Sequence, residues 1–182
     1  MSKIINSEEI LKYFIEEPNR WFHVRETARL IKLAPATISK YVNKLTKENI
    51  LIKKKERNHL LFRANTESEE FKDYKRFYNI KTIKKSGLID YFNKELHFPE
   101  AIILFGSYAK AENDKNSDID LFIISNTKKE LNLEKFRKIL QREIQIFLHT
   151  PKEFIDLQKE SKHLINNVLN GIILKGYVEV FK

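Results

Sequence analysis

Apolar and polar positions repeat along this chain with two periods, and the change of period divides it. Ile10, Leu11, Phe14 and Ile15 form a stripe at helical spacing that ends before Pro18, with Asn6 or Ser7 placed to cap it and Glu9 nearby. Trp21 and Phe22 are expected in the core behind that helix. Val24 to Ile31 reads as a short helix, Lys32-Leu-Ala as a tight connection, and Pro35 as the first residue of a third helix. There Ile38, Tyr41, Val42 and Leu45 recur at i, i+3, i+4 and i+7. After Asn49, a left-handed helix stop, Ile50 to Lys55 and Leu60 to Ala64 flank the polar turn Glu56-Arg-Asn-His59, which predicts a two-stranded hairpin.

Beyond residue 66 the pattern changes. Thr66 to Glu70 opens a helix carrying Phe71, Tyr74, Phe77, Tyr78 and Ile83, a stripe that serves either as core or as the seam of a homodimer. A break at Ser86-Gly87 precedes a helix at Leu88 to Phe92. Ala101-Ile-Ile-Leu-Phe105 then runs unbroken into Gly106-Ser107, which reads as a buried central strand ending at a tight turn. Asp118-Ile-Asp-Leu-Phe-Ile-Ile124 is a second strand, Leu131 to Leu140 a helical crossover, and Glu143 to His149 a third strand in one mixed sheet. Further helices start at Pro151 and span Ser161 to Leu169, and the chain closes with Gly171 to Gly176 and a short apolar strand to Phe181.

Alternation sets what each strand shows to either side. Asp118 and Asp120 share a face about 7 Å apart at their Cα atoms, while Ile119, Leu121 and Ile123 take the opposite face and call for a helix. The aspartate face calls for water, metal or both. On the third strand Ile144, Ile146 and Leu148 point inward, so Glu143, Gln145 and His149 look the same way as the aspartates.

Charge sharpens the division. Of the net +9, residues 1 to 66 carry +7, from 14 Lys and Arg against 7 Asp and Glu, while the remaining residues carry +2. A basic module with a polyanionic partner is thus joined to a nearly neutral one. The absence of cysteine excludes disulfides and thiol chemistry. No apolar run reaches membrane-spanning length and the N-terminus lacks a signal-peptide core, so the expectation is a cytoplasmic protein without a membrane partner.

Two carboxylates on one open face repel each other, and the usual resolution is a hard cation with oxygen ligands, here read as magnesium carrying phosphate oxygens. Gly106 lets the backbone approach a ligand closely, and the neighbouring amides, the Ser107 hydroxyl and the start of a helix suit phosphate. Together they describe a metal-triphosphate site.

The text Leu104-Phe-Gly-Ser-Tyr-Ala-Lys110, ten residues between Ser107 and Asp118, and Ser117-Asp-Ile-Asp-Leu121 resemble the minimal nucleotidyltransferases of the DNA polymerase β-like superfamily, over residues 86 to 182. That resemblance implies Mg2+, one or two ions held by Asp118 and Asp120, and ATP or another NTP held by Gly106, Ser107, Lys110 and Ser117, for in-line attack on the α-phosphorus. It also implies two departures. Ala111 stands where the family has a second glycine, and Gln145 where it has a third catalytic carboxylate, with Glu143 the candidate substitute. The order helix, helix, polar helix, hairpin resembles the winged helix-turn-helix family over residues 4 to 66. By that likeness Thr37, Ser39, Lys40, Asn43, Lys44 and Lys47 on the recognition helix, with Lys54 and Arg57 on the wing, bind double-stranded DNA.

The expected class is therefore α+β, with a winged helix-turn-helix at 1–66, a helical connector at 67–86 and a nucleotidyltransferase domain at 87–182 whose mixed sheet is flanked by helices. The implied function is transfer of AMP from ATP to a protein hydroxyl, as in antitoxins that modify a HEPN-type toxin and regulate their own transcription. The alternative is a regulator whose transferase half is non-catalytic. A small-molecule transferase of the aminoglycoside-modifying kind is a third reading, one that leaves the basic module without a use.

Overall fold

The computed structural model describes residues 7–180, with side chains from Glu9 onward. It contains two compact units that divide between Lys75 and Arg76. The expected cap, at Asn6 or the Ser7 side chain, and the end of the chain at Phe181 lie outside what is described.

The first unit contains helices α1 (Ser7–Glu16), α2 (Val24–Ile31) and α3 (Pro35–Lys47), with strands β1 (Phe22–His23), β2 (Leu51–Glu56) and β3 (His59–Ala64) in the order β1-β3-β2. The apolar stripes face inward as their spacing requires: Ile10, Leu11, Phe14 and Ile15 of α1 and Ile38, Val42 and Leu45 of α3 are all buried. Lys32 adopts the left-handed conformation that ends α2, and Asn49 (φ 58°) ends the turn after α3. The hairpin is tighter than expected. Glu56 and His59 pair as the last strand residues, and Arg57 (φ 44°) and Asn58 (φ 64°) make the whole turn.

Trp21 is half-exposed rather than in the core, because Lys54 and Arg63 hold their cations 4.7 and 4.9 Å from its ring centroid. An indole face between two cations is stabilised without leaving solvent. Phe22 is buried as expected, on the short strand β1, where it meets Phe14 edge to face.

Helix α4 (Glu69–Lys85) contains the division between the units. Ser68 caps it, accepting from the Phe71 amide at 3.3 Å. Its aromatic stripe is graded, from buried Phe71 through half-buried Tyr74 and Tyr78 to exposed Phe77.

The second unit is built on strands β4 (Ala101–Phe105), β5 (Ile119–Ile124), β6 (Ile144–His149) and β7 (Ile172–Gly176), ordered β6-β5-β4-β7. The pair β5-β6 is parallel, joined through the crossover helix α7 (Glu134–Leu140), and the other pairs are antiparallel, giving the expected mixed sheet. One face, with Ile102, Leu104, Ile119, Leu121 and Ile123, packs on Leu88 and Phe92 of α5 (Leu88–Glu95) and Phe136 of α7. The other, with Ala101, Ile103, Phe105, Phe122 and Ile124, packs on Phe154 of α8 (Pro151–Glu160) and on Ile165 and Val168 of α9 (Lys162–Leu169). Burial of each such large side chain contributes about 1.5–3 kcal/mol, and two covered faces explain why β4 is apolar throughout.

This second layer corrects the sequence reading of the aspartate face. That face is wet only at the Asp118 and Asp120 end; Phe122 and Ile124, which follow on the same side, lie under α8 and α9. His149 shares the face as expected but stacks on Phe122, with ring centroids 5.1 Å apart, and burial lowers its pKa. The chain ends differently too: β7 stops at Gly176, and residues 177–180 form no strand.

Short helix α6 (Gly106–Lys110) and the loop behind it are fixed by a buried amide pair. Asn79 donates to the Tyr108 carbonyl at 3.0 Å and to Asn113 Oδ1 at 2.8 Å, and Asn113 returns a bond to Asn79 Oδ1 at 3.4 Å. Replacing Asn79 with Ala removes the partner of a buried amide and is expected to cost about 1–3 kcal/mol. Urea unfolding of wild type and N79A, compared at unchanged m-value, checks this.

Candidate nucleotide and metal site

The site begins where β4 runs out. Gly106 has φ +68°, and a Cβ built on it would overlap Oδ2 of Asp120. The carboxylate of Asp120 therefore lies directly against the turn, because the antiparallel pairing of β4 and β5 sets Phe105 opposite Asp120. Ser107 follows, half-buried, in the first turn of α6. That helix is five residues long, so it offers phosphate its amides rather than a sizeable macrodipole. Lys110 is exposed at its end, and Ala111 caps it with φ 60°, the left-handed conformation that a glycine adopts without strain.

Asp118 precedes β5 by one residue and Asp120 lies within it, on the same side. The pKa of Asp120 is raised, first by burial and then by the charge of Asp118. Two acids in this state suit a cation. Across the parallel ladder Gln145 pairs with Asp120, the position expected for the missing third carboxylate, and its amide donates to Asp118 Oδ2 at 2.7 Å. Glu143 lies on the exposed approach to β6 and is ion-paired with Arg137 Nε at 2.9 Å. Among the described residues, no three His, Cys, Asp or Glu side chains are gathered to hold a metal. Glu143 thus lines the same depression as Asp118 without joining the acid pair.

Ser117 holds the loop in shape. Its hydroxyl accepts from the Asp114 amide at 2.9 Å and lies 3.3 Å from Asp114 Oδ1. Beside it is a depression of about 500 Å³ where Lys115, Arg137, Lys138 and Arg142 meet Asp118, Glu134 and Glu143. The sequence reading did not single out these cations. They come from two loops and α7, and only the packing of that helix brings them together.

In the first unit Lys40, Lys44 and Lys47 are exposed on α3 and line one depression with Tyr41 and Asn43. Thr37 and Ser39 are half-buried at its flanks, and Asn43 donates to the Ser39 carbonyl at 2.8 Å. Lys44 pairs with Glu48 at 3.6 Å and Lys54 with Glu56 at 2.8 Å, while Arg57 stands exposed at the hairpin tip. Arg25 and Arg29, absent from the sequence reading, are exposed on α2 one turn apart and line a second depression with Pro35. Their i, i+4 spacing was the available signal.

Comparison with known proteins bears on the second unit. The family model for Polymerase beta nucleotidyltransferases matches residues 86–177, half of the chain. The chain belongs to this nucleotidyltransferase family. A crystal structure from Sulfolobus solfataricus assigned as a nucleotidyltransferase is 16% identical, with a TM-score of 0.34, covering 60% of this chain and 94% of that one. None of the curated proteins compared matches.

The family implies nucleoside triphosphate and magnesium, and the donor set fits in part: two carboxylates under mutual repulsion against a glycine turn suit one ion whose other ligands are phosphate oxygens.

Two outcomes test this geometry. Gly106→Ala meets both the positive φ and the Asp120 carboxylate, so it is expected to lose about 1–2 kcal/mol of stability from the backbone alone and to weaken nucleotide binding. Calorimetric melting and ATP titration check it. For Asp120, a raised folded pKa means that its ionised form opposes folding above that pKa, and the penalty fades as pH falls through it toward the unfolded value. Asp120→Asn is therefore expected to melt above wild type at neutral pH without magnesium, with the gap closing as pH falls through the raised folded value and gone below pH ~4. Parallel melts across pH measure it.

Proposed function

We propose that the chain is a DNA-binding nucleotidyltransferase that takes ATP as its magnesium complex and moves AMP to a hydroxyl of a protein partner. The observation that carries the nucleotide half is the placement of Asp120 against the Gly106 turn with Asp118 beside it. In this reading the amides of the turn, Ser107 and Lys110 hold the triphosphate, and Asp118 and Asp120 hold the ion. The acceptor oxygen attacks the α-phosphorus in line and pyrophosphate leaves. The ion, when bound, neutralises phosphate charge and activates the transfer.

The DNA half rests on the order of three helices and a hairpin, read as a winged helix-turn-helix, and on the exposed cations of α3 and the hairpin. Lys40, Lys44, Lys47, Lys54 and Arg57 would neutralise phosphates while Thr37, Ser39 and Asn43 reach base edges. Among the described residues no helix is long and apolar enough to cross a membrane. A HEPN-type toxin as acceptor, self-regulated transcription in the cytoplasm and a homodimer on paired half-sites complete this reading by family resemblance.

One observation favours a second reading. Gln145 occupies the place of the third carboxylate and cannot serve as a base, which leaves a regulator that binds nucleotide without transferring it.

Incubation with α-labelled ATP, magnesium and a HEPN-type protein separates the two. Label on the partner, lost with Asp118→Asn while DNA retention persists, is expected from the first reading; nucleotide binding without label supports the second. DNA affinity is expected to fall about a thousandfold between 50 and 200 mM salt if six or more phosphates are neutralised. A flat salt response would remove the DNA reading.

A further inference from the structure

We propose that Gln145 limits this site to one divalent ion per bound triphosphate, by placing a neutral amide where a second ion would need a carboxylate. The inference rests on the reading of Asp118 and Asp120 as the metal ligands, and it concerns how many ions that pair can hold.

Gln145 stands beside Asp120 in the parallel ladder, and its side chain turns to Asp118 and donates to Oδ2 at 2.7 Å. This bond has two effects. It spends one lone-pair direction of an Asp118 oxygen on a hydrogen-bond donor, a direction no longer open to a cation. It also keeps a neutral group at the third corner of the acid cluster. Two dications a few ångströms apart repel strongly, and a two-ion site holds them by bridging anionic oxygens. Hard cations rank carboxylate oxygens first among side-chain ligands, and an amide brings no charge to offset the second ion.

Among the described residues no other acid joins the pair. Glu143 is paired with Arg137 at 2.9 Å. Asp114 is occupied in its own loop, accepting from the Asn116 amide at 2.8 Å and facing the Ser117 hydroxyl. Glu112 follows Ala111 on the exposed surface and does not extend the acid pair to a triad, since no such group of three exists among the described residues. The pair is left with enough negative charge to offset one ion, the one that travels with the triphosphate.

The consequence is a separation of binding from turnover. A single ion neutralises the triphosphate, but the neutral Gln145 beside the pair cannot take the acceptor's proton. Nucleotide binding is then strong in magnesium while transfer is slow unless the acceptor supplies its own base.

The full chain is dialysed to equilibrium against Mn2+ and saturating α,β-methylene ATP, and the excess manganese and excess analogue on the protein side are counted by elemental analysis and nucleotide absorbance. The expected result is one Mn2+ per bound analogue in wild type, one in Gln145→Ala, and two in Gln145→Asp. Two ions in wild type or in Gln145→Ala would overturn the proposal while leaving the nucleotide site intact. A count of one in a folded Gln145→Asp would also overturn it, by showing that another feature sets the limit. Failure of wild type to bind the analogue at all would overturn both this inference and the nucleotide reading beneath it.

Discussion

The register between β4 and β5 is the constraint on which the site depends. Pairing Phe105 with Asp120 brings the acid to the end of the apolar strand at the point where the chain turns. A slip of one residue would send Asp120 to the face occupied by Ile119 and Leu121 and carry Phe122 away from Phe154. The slip is opposed by both packed layers at once, since every residue of β4 and five of the six in β5 are buried. The position of two charged groups is thus held by apolar surface on either side. Gly106 completes the arrangement by leaving out the one atom that would collide with the carboxylate.

Much of this was legible in the sequence because strand alternation and turn chemistry are local. The unbroken run Ala101 to Phe105 could only be a strand covered on both faces, and the spacing of Asp118 and Asp120 fixed their common side. The error over the aspartate face had its correction in the same text: Asp120, Phe122 and Ile124 alternate on one side, and two large apolar side chains there demand cover. What the sequence could not show was tertiary. Gln145 reaching Asp118 depends on a rotamer, and Trp21 remaining at the surface depends on Lys54 and Arg63 arriving from the hairpin. Strand β1 has two residues, too few to show a period, and the turn Arg57-Asn58 lacks the glycine that usually announces a two-residue hairpin.

In the proposed reading, Gln145 at the place of a third carboxylate separates two properties that an acid triad would combine. In that reading the acid pair against the glycine turn receives a metal-bound triphosphate, whereas in-line transfer also needs the acceptor hydroxyl to lose its proton. The amide of Gln145 gives Asp118 a hydrogen-bond donor when no ion is present.

The most direct measurement of the central claim is an anomalous difference map from crystals grown with Mn2+ and a non-hydrolysable ATP analogue. The account predicts a manganese peak within ligand distance of Asp118 and Asp120, with the triphosphate resting on the Gly106 and Ser107 amides. A peak elsewhere, or a triphosphate seated away from that turn, would contradict it.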